Sequence, residues 1–269
     1  RCDRRMDAMI ASGDRLADPC RTRSTSTSES NEMPLHADAA LVEKLVVANR
    51  ILARHGIVDG FGHVGVRMPA PEDGFLLSRS LAPASVTAGD IMRFDLDGNA
   101  QDGDDRTPYL ERFIHGEIYR ARADVQAIVH NHSPSVIPFG ATRKPLRPIY
   151  HMSGFIGSAS ALFEIREAGG NTDMLVRDRP LGAALARSLG AKSVVLMRGH
   201  GCKVVGASVE QVVYRAIYTE MNAKLQLQAV ALGEPEFLNE EEADKATQMM
   251  GGTLMRSWNL WMAEIGPIA

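Results

Sequence analysis

Helical and extended apolar patterns alternate along the chain from Ala39 onward, and this alternation constrains the fold more than any other feature. Leu41, Leu45, Val46, Ile51 and Leu52 recur at helical spacing and stop near His55-Gly56. Short apolar runs at 64–68, 75–77 and 91–96 read as strands, with Asp97-Gly98-Asn99 as the turn that follows. A helix is predicted over 109–122 and a strand over 124–132, stopped by Ser133-Pro134. Further strands are expected over 193–197 and 203–205, then a long helix from a Ser208 cap to about Leu232. A Pro- and acid-rich link over 234–242 leads to one last helix carrying Met249, Met250, Leu254, Trp258 and Trp261. Elements that alternate in this way fold as one α/β domain, expected over 35–269. Residues 1–34 differ. They mix Arg and Asp without apolar period, run into a Ser/Thr-rich stretch, and read as a low-complexity extension.

Composition narrows the partners. Lys+Arg (30) nearly balances Asp+Glu (33), a net charge of −3, which gives no basic footprint for nucleic acid or an anionic membrane. No apolar run approaches the ~18–20 residues that span a bilayer. Three cysteines without a CxxC pair fit a reducing compartment, so a cytoplasmic protein is expected. The informative residues are the eight histidines.

Gly60-Phe61-Gly62-His63-Val64-Gly65 matches the glycine string of a dinucleotide site, but that motif needs a helix after it to receive the pyrophosphate. Here a strand follows, so the string reads as a glycine-rich turn. His130-Asn131-His132 ends a strand, where i and i+2 side chains share a face, so both imidazoles can reach one ion while Asn131 faces away. Arg198-Gly199-His200-Gly201 ends another strand, and its glycines let the chain turn so that His200 projects inward. Three neutral imidazoles leave coordination positions open, as a catalytic metal requires. Glu111, after Thr107-Pro108 at a helix start, supplies a carboxylate for proton transfer or fourth ligation. His115 lies one turn on and is read as orienting it.

With Glu111, His130-Asn131-His132 and His200-Gly201 in this order, the sequence resembles the class II aldolase/adducin family. The resemblance runs from about Ala39 to Leu232, and includes Gly62-His63-Val64-Gly65-Val66-Arg67 and Arg215-Ala216-Ile217-Tyr218-Thr219-Glu220. It implies a three-layer α/β/α sandwich around a central mixed, largely antiparallel sheet. It implies one divalent metal ion per subunit, Mn2+ or Zn2+, on His130, His132 and His200, with Glu111 as catalytic acid/base. It also implies a homotetramer with sites between subunits.

Departures from the sugar-phosphate pattern sharpen the substrate. Where those aldolases place small and polar residues around a phosphate, this chain has His63, Ser80-Leu81 and Tyr109-Leu110. Bulky Tyr109 and Leu110 suit a flat or apolar substrate. Arg79, between Ser78 and Ser80, is a candidate grip for a carboxylate. Ser78, His63, His151 and Tyr218 complete the candidate substrate contacts. Blocks 77–80, 113–120 and 198–201 resemble the family's decarboxylase branch. The implied substrate is a small anion, a hydroxy-aromatic (hydroxypyridine) carboxylate such as 3-hydroxy-2-methylpyridine-4,5-dicarboxylate of vitamin B6 degradation. The rivals are an aldolase or epimerase on a small unphosphorylated substrate and a non-catalytic, adducin-like interaction protein.

Overall fold

In the computed structural model, which describes residues 39–101 and 103–267, seven strands form one sheet. They are β1 (His63–Arg67), β2 (Gly74–Ser78), β3 (Ile91–Asp95), β4 (Ala127–Asn131), β5 (Ala161–Phe163), β6 (Val194–Met197) and β7 (Gly201–Gly206). The helices are α1 (Ala39–Arg54), α2 (Phe113–Ala121), α3 (Ile137–Thr142), α4 (Ile165–Gly169), α5 (Arg179–Leu189), α6 (Val209–Leu232), α7 (Glu240–Gly251) and α8 (Leu254–Ile265). The strand order is β3-β2-β1-β4-β7-β6-β5, antiparallel except for the parallel pair β5–β6. The mixed, largely antiparallel sheet is therefore as expected.

Period-2 alternation sorts the side chains into two cores. Val64, Val66, Ala127, Val129, Leu196 and Val204 face α1, α6 and α8, where Leu45, Val212 and Trp258 pack on them. Phe75, Leu77, Ile128, Val195 and Val205 face α2 and α5, against Ile114, Ile118 and Leu185. Each such apolar side chain stabilises the fold by about 1.5–3 kcal/mol relative to exposure. Helices on both faces make the three layers. Among the described residues, no helix is long and apolar enough to cross a membrane.

This alternation positions the polar residues too. His130 follows Ile128 by two and so shares the α2 face, while Asn131 turns to the α6 face and accepts from the Ser133 N–H at 3.2 Å. The β1–β4 and β4–β7 registers set His63 opposite His130 and His130 opposite Lys203. Three strands thus present one polar row beneath α2.

The sequence reading differs from the structure at identifiable places. The helix expected from 109 begins as a 3-10 turn, Leu110–Arg112, and Glu111 (φ −89°, ψ 18°) breaks the helical path before α2. The single last helix is two: Asn239 caps α7 with a reciprocal Glu242 contact, and the chain turns at Gly252-Thr253 before α8. The expected link therefore already contains the first turn of α7. The extension read at 1–34, and His36, lie outside the described residues.

Gly201 opens β7 where β4 crosses closest. A Cβ there would stand 2.1 Å from the Asn131 carbonyl oxygen, a backbone atom that cannot swing away. Gly201→Ala is expected to lower stability by about 1–3 kcal/mol as an overpacking change. The urea midpoint of the metal-free protein reads it.

Candidate metal centre and active site

The ends of β4 and β6 deliver three imidazoles to one point. Nε2 of His130 lies 3.1 Å from Nε2 of His132 and 3.2 Å from Nε2 of His200. Each ring is anchored through its other nitrogen. Nδ1–H of His130 donates to the Cys202 carbonyl (3.2 Å), that of His132 to Asp59 Oδ2 (3.0 Å), and that of His200 to the Met174 carbonyl (2.9 Å). With the protons on Nδ1, three Nε2 lone pairs face one another, an arrangement that is repulsive unless a cation sits among them. A tetrahedral ion bound at ~2.0–2.1 Å sets its nitrogens about 3.3 Å apart. The donor set therefore fits one divalent ion, and the anchoring acceptors are the outer partners that orient metal-bound imidazoles. Gly199, at φ +66°, makes the turn that swings His200 into place.

Glu111 completes the cluster. Its Oε1 accepts the Val176 N–H at 3.0 Å, which aims Oε2 at the histidines, 3.2 Å from His130 Nε2 and 3.3 Å from His200 Nε2. Burial alone would raise this carboxyl. Positive charge at His130 first, carried by a proton or an ion on its Nε2, together with that at His200 and the Lys203 cation, outweighs burial and holds Glu111 well below the usual carboxylate range. Burial, aided by Lys203, pulls His130 down to about 3, which keeps its imidazole neutral for ligation.

A cavity of about 490 Å³ opens beside the cluster. Glu111, His63 and His132 line it on one side, and Phe61, Leu81, Tyr109, Leu110 and Leu175 supply apolar wall. The Tyr109 hydroxyl donates to the Leu81 carbonyl, which fixes its ring. Phe61 and Leu110 are exposed at 75% and 58%, large apolar groups left uncovered at the mouth.

Of the residues read from the sequence, the structure brings together His130, His132, His200, Glu111, His63 and Tyr109. The other four do not line the cavity. Ser78 ends β2 with its side chain buried behind the cavity wall, against Tyr109. Arg79 directs its Nε to Asp90 Oδ1 at 2.7 Å. His151 is exposed on a 3-10 turn, and Tyr218 packs against Tyr214 (ring centroids 4.5 Å) and Trp261 (6.4 Å). The expectation that His115 orients Glu111 is corrected: its Nε2 lies 2.8 Å from Nδ1 of His63.

Two contributors were missed. Asp59 accepts the N–H groups of Phe61 (2.8 Å) and Gly62 (3.1 Å) through Oδ1, leaving Oδ2 for His132. An Asp opening a glycine-rich turn is the available signal. Lys203 is fully buried, its Nζ has no hydrogen-bond partner among the described residues, and burial pulls it down to about 7. Its signal is a lysine in a strand apolar on both faces. Asp59→Asn keeps the Oδ1 contacts but sets an amide N–H against the His132 N–H. Metal affinity is expected to fall about 10–100-fold, measured by competition with a chelator of known affinity.

Comparison with known proteins adds the following. The model of the class II aldolase and adducin N-terminal domain matches residues 43–227. The chain is similar to the decarboxylase tropJ of Talaromyces stipitatus, 37% identical over 248 residues that cover 83% of this chain and 93% of that one. It is also similar to a 3,4-dihydroxyphthalate decarboxylase of Arthrobacter keyseri, 36% identical over 212 residues, 74% of this chain and 81% of the other. Among solved structures, an aldolase II superfamily protein of Pseudomonas syringae superposes with a TM-score of 0.70 at 26% identity, over 84% of this chain and 92% of its own.

Proposed function

The chain belongs to the class II aldolase and adducin family, and on that premise we propose that it is a metal-dependent decarboxylase of a hydroxy-aromatic carboxylate. The observation that carries this reading is the convergence of three anchored Nε2 lone pairs on Glu111 Oε2 beside an apolar cavity. Relatives named as decarboxylases support the same reaction class. His130, His132 and His200 would hold the ion, Zn2+ or Mn2+, with Glu111 as a fourth ligand or a free carboxylate. When bound, such an ion is a Lewis acid that stabilises the negative charge released with carbon dioxide.

The chain's own residues supply the rest. Tyr109, Leu81, Leu110 and Leu175 offer a flat apolar wall that suits an aromatic ring better than a sugar phosphate. Glu111, held ionised, takes the proton of the ring hydroxyl and returns it to the carbon that loses carbon dioxide. The C–C bond breaks and its electron pair stays on the ring carbon, which accepts that proton. The product's oxygen is reprotonated by water, so one proton is consumed per turnover. Oε1 stays on the Val176 N–H throughout, so the same Oε2 serves as base and then as acid.

The proposal includes 3-hydroxy-2-methylpyridine-4,5-dicarboxylate as one substrate of the class, and a homotetramer with sites between subunits. The test offers the metal-loaded protein that acid, 3,4-dihydroxyphthalate, 2,3-dihydroxybenzoate and a set of ketose acids, and measures carbon dioxide and aldehyde separately. Carbon dioxide from at least one hydroxy-aromatic acid is expected. Aldehyde from a ketose acid with no carbon dioxide from any aromatic acid would replace the proposal with an aldolase.

A further inference from the structure

His63 and His115 form a second histidine pair that the metal chemistry does not use. The β1–β4 register sets His63 beside His130, ring centroids 5.0 Å apart, and a His63 ring nitrogen lies within 4.8 Å of both the Glu111 carboxylate and a His130 nitrogen. His63 lines the cavity; His115 is fully buried behind it on α2. The His115 ring stacks on Phe75 (centroids 5.8 Å, planes 17° apart), and its Nδ1 edge lies against Gly65. A Cβ at position 65 would come within 2.5 Å of that nitrogen, so the ring keeps this seat only because residue 65 has no side chain.

A single proton lies in the 2.8 Å contact between His115 Nε2 and His63 Nδ1, and the orphaned nitrogens decide which ring owns it. Neither His115 Nδ1 nor His63 Nε2 has a hydrogen-bond partner among the described residues. If His63 donated, His115 would carry its proton on Nδ1, an unsatisfied N–H pressed against Gly65 in the core, where no ligand reaches it. If His115 donates, its Nδ1 is only a bare lone pair and the unpartnered N–H is that of His63 Nε2, also buried but on the ring that lines the cavity, the one of the two that an incoming ligand can meet.

We infer that His63 presents a neutral Nε2–H as a hydrogen-bond donor to a substrate oxygen next to the chelating one, and that His115 is the positioning residue that fixes this tautomer. The inference rests on the decarboxylase reading for the identity of that oxygen: a second ring hydroxyl of the hydroxy-aromatic acid. It narrows the substrate class to acids with vicinal ring hydroxyls, such as 3,4-dihydroxyphthalate and 2,3-dihydroxybenzoate, and so disfavours 3-hydroxy-2-methylpyridine-4,5-dicarboxylate, whose one hydroxyl is flanked by a methyl and a carboxylate.

Two measurements test it. In zinc-loaded protein labelled with 15N-histidine, the His63 signals should show Nε2 protonated and Nδ1 bare; the reverse tautomer overturns the inference without any substitution. The second compares the affinity of the metal-loaded protein for 2,3-dihydroxybenzoate and for 2-hydroxybenzoate. The extra hydroxyl should tighten binding about tenfold, the size of one good hydrogen bond. That preference should vanish in His115→Phe and return in His115→Gln, whose amide N–H can donate to His63. A preference retained in His115→Phe overturns the inference and leaves the decarboxylase reading standing. Failure of the wild-type holoprotein to bind either acid overturns both.

Discussion

Replacing His130 with alanine is expected to abolish stoichiometric metal binding and to lower decarboxylation by about a thousandfold or more, since the Lewis acid is lost with its ligand. In the proposed site His130 is the central ligand: its Nε2 is the atom that both His132 and His200 approach, and it is fully buried between His63 and Lys203 on the neighbouring strands. His132 and His200 alone would leave two nitrogens with no third to close the set. The sheet should survive, because β4 pairs with β1 and β7 through its backbone and the apolar cores lie at Ile128 and Val129. Metal analysis, far-UV circular dichroism and turnover together separate a lost ion from a lost fold. Treatment of the wild type with chelator should produce the same loss of turnover, reversed by Zn2+ or Mn2+.

Glu111→Gln should have a different signature: metal content near that of the wild type, and turnover reduced by about 10²–10⁴-fold, the range of general acid–base catalysis. The amide oxygen can still accept the Val176 N–H, so the side chain stays in position. What disappears is a carboxylate able to take a proton from the hydroxyl and return it to carbon. In the proposed site the three histidines are the firm ligands, so loss of the Glu111 charge should weaken the ion's hold without releasing it. A variant with unchanged kcat would remove Glu111 from the proton path.

The layers were legible in local periodicity: alternation in β1, β4 and β7 divides residues between two cores, and extended spacing sets His130 and His132 on one side. Joining His200 and Glu111 to them as one candidate centre rested on the resemblance to the class II aldolase/adducin family, because no local period links segments so far apart in the chain. What could not be read depends on contacts across the chain. Asp59 meets His132, the Met174 carbonyl meets His200, and His115 meets His63, in each case from a segment whose own pattern carries no sign of the partner. Arg79 shows the converse. A flexible cation beside the predicted site looked available, but the β2–β3 pairing brings Asp90 to it first. Between β4 and β6, β5 has only three residues, too few to show a period, whereas α5 carried legible start signals in the Asp178 cap and Pro180. The α7 start was legible in the Asn239–Glu242 capping box but was obscured by the neighbouring Pro and Glu residues.

The most direct test of the central claim is a turnover in D2O. Metal-loaded protein is incubated with 2,3-dihydroxybenzoate and 3,4-dihydroxyphthalate, and the released carbon dioxide and the isotope content of the product are measured. The account predicts, for at least one of these acids, one carbon dioxide per substrate consumed. It also predicts one deuterium at the vacated ring carbon and neither product with His130→Ala. Consumption of neither acid by protein that carries its metal would contradict it.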